Sequence, residues 1–248
     1  MELSRYLLLE ARRAVVSLPF VAGVCITLLA GLSGAIPETR FAGEAGSHYV
    51  FLFFMEGLPW LAPLVATLPF ARSYAAERNS GFSLSVLRRL PVSSYAGVKC
   101  LTNAVAGGLV LAVPVAAAAI WARTAYAEIP DPNGDPRFLG AHLTLSPSLY
   151  MCACVGLAFA FGATFATVGL AASVLFRRPF AAHVSPLVLL TVPAFFLPYA
   201  ELAFLEPSVM LIPGSNTRAS VASLAAQYTF FAVGSVVVIR AFFRLREE

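Results

Sequence analysis

Apolar residues in this chain arrive in blocks of about twenty, not in the short periodic pieces of a soluble core. The blocks fall at residues 18–36, 49–71, 97–120, 148–176, 180–204 and 219–241. A helix of about twenty apolar residues is long enough to cross the hydrocarbon core of a bilayer. The pattern therefore predicts an all-α integral membrane protein, a single domain over residues 1–248 with about six transmembrane helices. The fourth block exceeds one crossing length and is expected to tilt or to begin outside the membrane.

The polar intervals predict the rest of the architecture. In residues 1–17, Leu3, Tyr6, Leu7 and Ala14 recur at near-helical spacing, and Glu2, Arg5, Arg12 and Arg13 fill much of the remaining surface. That is the pattern of an amphipathic helix lying in the membrane interface. A cleaved leader is disfavoured by Glu2 and Glu10 and by the length of the apolar stretch 14–36. Residues 121–147 contain Pro130, Asp131, Pro132, Asn133, Gly134, Asp135 and Pro136, a run that cannot be helical. Residues 198–218 are largely apolar but broken by Pro198, Pro207, Pro213 and Gly214. A re-entrant or interfacial hairpin is expected there, with its backbone buried by protein. Pro59, Pro63, Pro69, Pro114, Pro186, Pro193 and Pro198 lie in or at the ends of blocks and should bend them, as simple shape or as hinges.

Composition agrees: 59% of residues are hydrophobic and 12% charged, about half the charge of a soluble domain. With the N-terminus inside, Arg5, Arg12, Arg13, Arg72, Arg78, Arg88, Arg89, Lys99, Arg177, Arg178, Arg240, Arg244 and Arg246 are internal. Arg40, Arg123, Arg137 and Arg218 are external, four of the 17 basic residues. The positive-inside rule then puts both termini in the cytoplasm and makes the number of spans even. Glu38, Glu44, Glu128, Asp131, Asp135 and Glu206 lean the other way. No basic and aromatic face suited to nucleic acid is present.

Candidate chemistry is sparse. Cys25, Cys100, Cys152 and Cys154 lie in or beside apolar blocks, and no further ligand completes a metal site around Cys152 and Cys154. His48, His142 and His183 are scattered, and no nucleophile–base arrangement is visible. Ala158, Gly162 and Ala166 repeat every four residues beside Ala163 and Thr167, a spacing that permits close helix contact inside the chain or, second, between subunits. Glu56 sits about 10 Å into the second block. It is a candidate for the substrate path, or else a side chain reaching back to the outer headgroups.

The long basic interval 72–96 carries the most specific pattern. Phe82, Val86, Leu87 and Leu90 share one helical face, Ser80 or Asn79 offers a cap, and Pro91 ends the helix. Such a helix lies on headgroups or fills a groove in a partner. Glu77-Arg78-x-x-Gly81, then Leu90-Pro91-Val92-Ser93, then Lys99 opening the next span, resembles the signature of the ABC type-2 permease family, the membrane subunits of ATP-binding-cassette exporters. The N-terminal interfacial helix, the six spans and the broken external hairpin extend the resemblance over essentially the whole chain.

The resemblance implies a coupling helix between the second and third spans, with Glu77, Arg78, Gly81, Phe82, Val86, Leu87, Leu90 and Pro91 as the ATPase-coupling residues. It also implies a second permease copy, identical or paralogous, a separate ATP-binding-cassette ATPase subunit holding ATP and Mg, and a bacterial plasma membrane. This chain has no Gly-x-x-x-x-Gly-Lys-Ser/Thr loop, so no cofactor is expected on it and ATP hydrolysis belongs to the partner. The alternative is a secondary transporter or channel working without an ATPase, which would need ion-coupling charges and broken helices in matching halves.

Orientation is testable in a chain freed of its four cysteines. A membrane-impermeant maleimide applied to intact cells should label Asn133→Cys and spare Asn79→Cys. The opposite labelling would invert the topology.

Overall fold

The computed structural model describes residues 3–39, 42–82, 86, 88, 90–129, 137–139, 143–216 and 218–244. Among the described residues the fold is all-helical apart from one short hairpin. Its helices are α1 (Leu3–Val15), α2 (Leu18–Glu38), α3 (Ala42–Glu56), α4 (Ala62–Thr67), α5 (Ser73–Asn79), α6 (Val92–Ala125), α7 (Pro147–Phe176), α8 (Ala181–Phe196) and α9 (Val221–Arg244). Between α6 and α7, β1 (Arg137–Leu139) pairs antiparallel with β2 (Leu143–Thr144), with Arg137 opposite Thr144 and Leu139 opposite Leu143.

Among the described residues four helices are long and apolar enough to cross a membrane: Leu18–Glu38, Val92–Ala125, Pro147–Phe176 and, within α9, Val221–Phe242. α6, at 34 residues, is about 51 Å long and overshoots a ~30 Å hydrocarbon core. Its first turns therefore stand among the loops, where Pro91 sets its start.

The second apolar block does not form one helix. α3 stops at Glu56, tight turns carry the chain through Leu58 and Leu61, and α4 begins at Ala62. Gly57 and Pro59 coincide there, and Pro63 occupies the first turn of α4. Isolated prolines have a milder effect: Pro114 lies within α6, and Pro186 and Pro193 within α8, without ending either helix. The fifth block likewise stays helical only to Phe196.

Two apolar clusters mark the two ends of the molecule. Ala35, Val50, Ala122, Tyr150 and Leu211 belong to one, and Tyr6, Tyr74, Tyr95, Leu170 and Ile239 to the other. α6, α7 and α9 each contribute to both clusters, and by the order of those residues α7 and α9 run opposite to α6. Midway, α6 and α7 meet backbone to backbone: a Cβ on Gly162 would lie 2.1 Å from the Gly107 carbonyl oxygen, and one on Gly107 2.3 Å from the Ala166 Cβ. Ala158 and Ala166 are fully buried beside this contact. The small-residue stripe of α7 thus serves internal packing.

Residues 198–216 contain a chain of 3-10 turns, Ala203–Leu205, Pro207–Met210 and Pro213–Ser215. Val209, Met210 and Leu211 are buried, with Met210 and Leu211 in the larger cluster. Side chains of α9 satisfy the irregular backbone. The Tyr228 hydroxyl donates to the Met210 carbonyl at 2.9 Å, and the Gln227 amide donates to the Phe204 carbonyl at 3.1 Å.

Because overpacking costs about 1–3 kcal/mol, Gly162→Ala should lower the thermal midpoint in detergent by several degrees. Gly97→Ala adds a methyl group where nothing lies within 4 Å and should leave the midpoint unchanged. Equal effects of the two substitutions would refute the close-contact reading.

Candidate functional site

Three elements converge at the Tyr6 and Tyr95 end of the bundle. On α1, Tyr6, Glu10 and Arg13 lie at spacings of four and three, which puts them on one helical face. On α6, Tyr95 and Lys99 are four apart and share a face. α5 contributes Glu77. Tyr6 stacks on Tyr95 with ring centroids 6.3 Å apart, and the charged groups meet beside this stack.

The result is a closed ring of alternating charge. Lys99 Nζ donates to Glu10 Oε2 at 2.5 Å and to Glu77 Oε1 at 2.7 Å. Arg13 Nη1 donates to Glu10 Oε1 at 2.7 Å and to Glu77 Oε1 at 3.0 Å. The Tyr95 hydroxyl donates to Glu77 Oε2 at 2.9 Å. Every carboxylate oxygen in the ring has a donor, and the Lys99 ammonium also lies 4.7 Å from the centre of the Phe70 ring. Lys99 and Glu10 are each 2% exposed and Glu77 is 5% exposed. The four charges cancel. A buried charge is tolerable only when paired and hydrogen-bonded in this way.

The electrostatics at the rim follow. Burial raises the Tyr6 hydroxyl pKa, and the Glu10 and Glu77 carboxylates raise it further against an opposing effect of Arg13, so Tyr6 stays protonated. For Arg13, burial disfavours the charge, but Glu10 and Glu77 together outweigh it and raise its pKa.

The residues of the sequence motif divide around this ring. Glu77 faces inward and belongs to it. Arg78 is half-buried. Gly81 closes α5 at φ +74°, a backbone conformation that favours glycine. Val86 and Leu90 are buried and pack in the same cluster as Tyr74, Tyr95 and Leu170. Phe82 points outward, 46% exposed. The single apolar face expected from periodicity is therefore divided, with Val86 and Leu90 turned to the bundle and Phe82 turned away. Leu87 lies outside the described residues. Pro91 is exposed and caps α6. Glu56, at the α3 break, is exposed, and among the described residues it has no hydrogen bond or ion pair.

Sequence reasoning counted Glu10, Arg13 and Lys99 as charges of loops and interfaces and missed their meeting. The available signal was Lys99 itself: a helix starting at Pro91 carries that ammonium into the apolar block, where it demands carboxylates. Tyr6, Glu10 and Arg13 at helical spacing were the matching half.

Other titratable groups are dispersed. Thr67 Oγ1 and His183 Nδ1 are 2.9 Å apart, and His48 meets Tyr150 edge-on with ring centroids 5.0 Å apart. His142 lies outside the described residues. Among the described residues no group of three or more His, Cys, Asp or Glu could hold a metal ion. Comparison of the chain with models of protein families, with curated proteins and with solved structures gives no significant match.

Lys99→Met leaves two buried carboxylates without their principal partner and should cost about 3–5 kcal/mol in stability, read as a lower thermal midpoint in detergent. The neutral triple variant Glu10→Gln, Glu77→Gln, Lys99→Met should recover most of that loss. Arg13 is 52% exposed, so screened Arg13→Gln should cost less than about 1 kcal/mol. A triple variant weaker than Lys99→Met alone would show that the ring is not the source of the effect.

Proposed function

We propose that this protein is the permease subunit of an ATP-driven ABC exporter. In this reading it works as a dimer, identical or paralogous, with a separate ATPase subunit that holds ATP and Mg. The chain crosses a bacterial plasma membrane six times with both termini in the cytoplasm, α3 and α4 together make the second crossing, and residues 198–218 form an external re-entrant hairpin. The translocation path runs between the two copies.

One observation supports this reading above the others: the motif-bearing segment is tied by charge to the long helices. Glu77 lies in the last turn of α5, ahead of the outward-facing Phe82, and its carboxylate is bonded to Lys99 of α6, Tyr95 of α6 and Arg13 of α1. A force applied at Phe82 reaches α6 through the buried Lys99 and Tyr95 bonds and α1 through the part-exposed Arg13 bond, instead of dissipating in a loose loop. In the proposed cycle the ATPase subunits close on ATP and move residues 77–91. The ion ring carries that motion to α1 and to the first turns of α6, and α6 passes it to α7 through the Gly107 and Gly162 contact. Phe82 fills a groove in the ATPase, as an apolar anchor presented from a short helix does in helix-in-groove recognition.

A secondary transporter or channel is the second reading, and Glu56 is the observation in its favour. Among the described residues it is an unpaired carboxylate, at a helix break within an apolar block.

The test is purification of the tagged chain from its native cells in mild detergent, followed by mass spectrometry and transport assays in reconstituted vesicles. A Walker-motif ATPase should co-purify at about one per permease and be lost with Phe82→Asp, and transport should be vanadate-sensitive and unaffected by Glu56→Gln. A homo-oligomer without an ATPase, showing vanadate-insensitive transport abolished by Glu56→Gln, would overturn the exporter reading in favour of the second.

A further inference from the structure

A groove of about 620 Å³ runs between α6 and α9, on the side of α6 away from α1. Its walls are apolar, with Ala96, Leu101 and Ala104 from α6 and Val236 and Ile239 from α9. Its deep end is closed by Thr167 of α7, whose hydroxyl is already bonded to the Ala163 carbonyl at 2.7 Å. Its mouth, level with the Tyr95 and Ile239 cluster, carries two polar side chains, Ser93 and Arg240. Neither makes a hydrogen bond or ion pair with a described residue.

We propose that this groove holds one anionic phospholipid, with an acyl chain along α6 and α9 and the phosphate between Arg240 and Ser93. Three observations select this occupant. From Val92 to Ala104 the groove extends about 18 Å along α6, close to the ~15 Å depth of one leaflet. It opens sideways to the membrane: Leu101 is 54% exposed, and a Cβ on Gly97 would meet nothing within 4 Å. Finally, the charge sits only at the mouth, at the end of the molecule where the basic residues gather, so an apolar tail and an anionic head are both matched. An apolar helix of a second copy would fill the walls and leave the Arg240 guanidinium without an anion. The lipid braces α9 against α6 where the two helices separate, and it selects for anionic headgroups.

The experiment needs no ATPase partner, so its outcome is separate from that of the exporter reading. The full chain is reconstituted in equimolar phosphatidylglycerol and phosphatidylcholine, and lipids retained per chain are counted by native mass spectrometry. One phosphatidylglycerol should be retained, several-fold over phosphatidylcholine. Arg240→Gln should remove the preference, Arg240→Lys should keep most of it, and Ala104→Trp, which plugs the deep end, should lower retention of both lipids. Unchanged thermal midpoints identify variants that have folded. Equal retention of the two lipids by the unaltered chain would overturn the proposal, as would a preference that survives Arg240→Gln. So would efficient cross-linking of two copies through Cys100 in a chain keeping only that cysteine, because the groove would then be an interface between copies.

Discussion

One ammonium group organises an entire end of this molecule. α6 begins at Val92 and carries Lys99 into the bundle as an unavoidable consequence of its register, and a charge at that depth must be neutralised in place. The carboxylates that do so come from two other elements, Glu10 of α1 and Glu77 of α5. Neither pairing is local, so both elements are held to α6 by the same requirement. The pairs tie Glu10 of α1 and Glu77 of α5 to one point on α6. Ion pairs of this kind contribute more to uniqueness than to net stability, because the desolvation of the charges offsets much of their attraction. The arrangement fixes how the pieces sit while adding little to how tightly they hold.

A second constraint acts on the backbone. An apolar bundle has no water for stray carbonyl and amide groups, so irregular segments must find partners in protein. The 3-10 turns after α8 do so through Tyr228 and Gln227 of α9. The break between α3 and α4 does so through tight turns at Leu58 and Leu61. α1 meets α2 at Ser17, whose hydroxyl donates to the Ala14 carbonyl and accepts from the Phe20 amide, finishing one helix and starting the next.

The coarse architecture was legible because hydrophobic length is a one-dimensional signal. α2, α6, α7 and α9 lie close to where the apolar blocks put them, α1 forms where its amphipathic spacing put a helix, and the stripe through Ala158, Gly162 and Ala166 packs as its spacing implied. The break after Glu56 was not legible as a break, because isolated prolines are tolerated in apolar helices and only the coincidence of Gly57 with Pro59 stops this one. The ion ring was illegible for a different reason. Glu10, Arg13 and Glu77 are ordinary members of the polar intervals when read along the chain; Lys99 alone stands inside an apolar block, and which carboxylates meet it is a property of three-dimensional packing that no local period encodes. The motif around Glu77 was visible, but that its carboxylate faces inward depends on Lys99, 22 positions away.

The ring also carries a history of assembly. Glu10 and Arg13 leave the ribosome 89 residues ahead of Lys99 measured from Glu10, an interval of roughly 5–20 s at ordinary elongation rates. During that time the charged face of α1 has none of its eventual partners on α6. The i, i+3 spacing lets Arg13 occupy Glu10 meanwhile, and the 2.7 Å bond between them persists in the finished protein. Until α6 arrives with the cation that docks it, the first helix thus carries its own partner for Glu10. The carboxylate made first therefore has a cation of its own three residues on, before the helix that finally docks it exists.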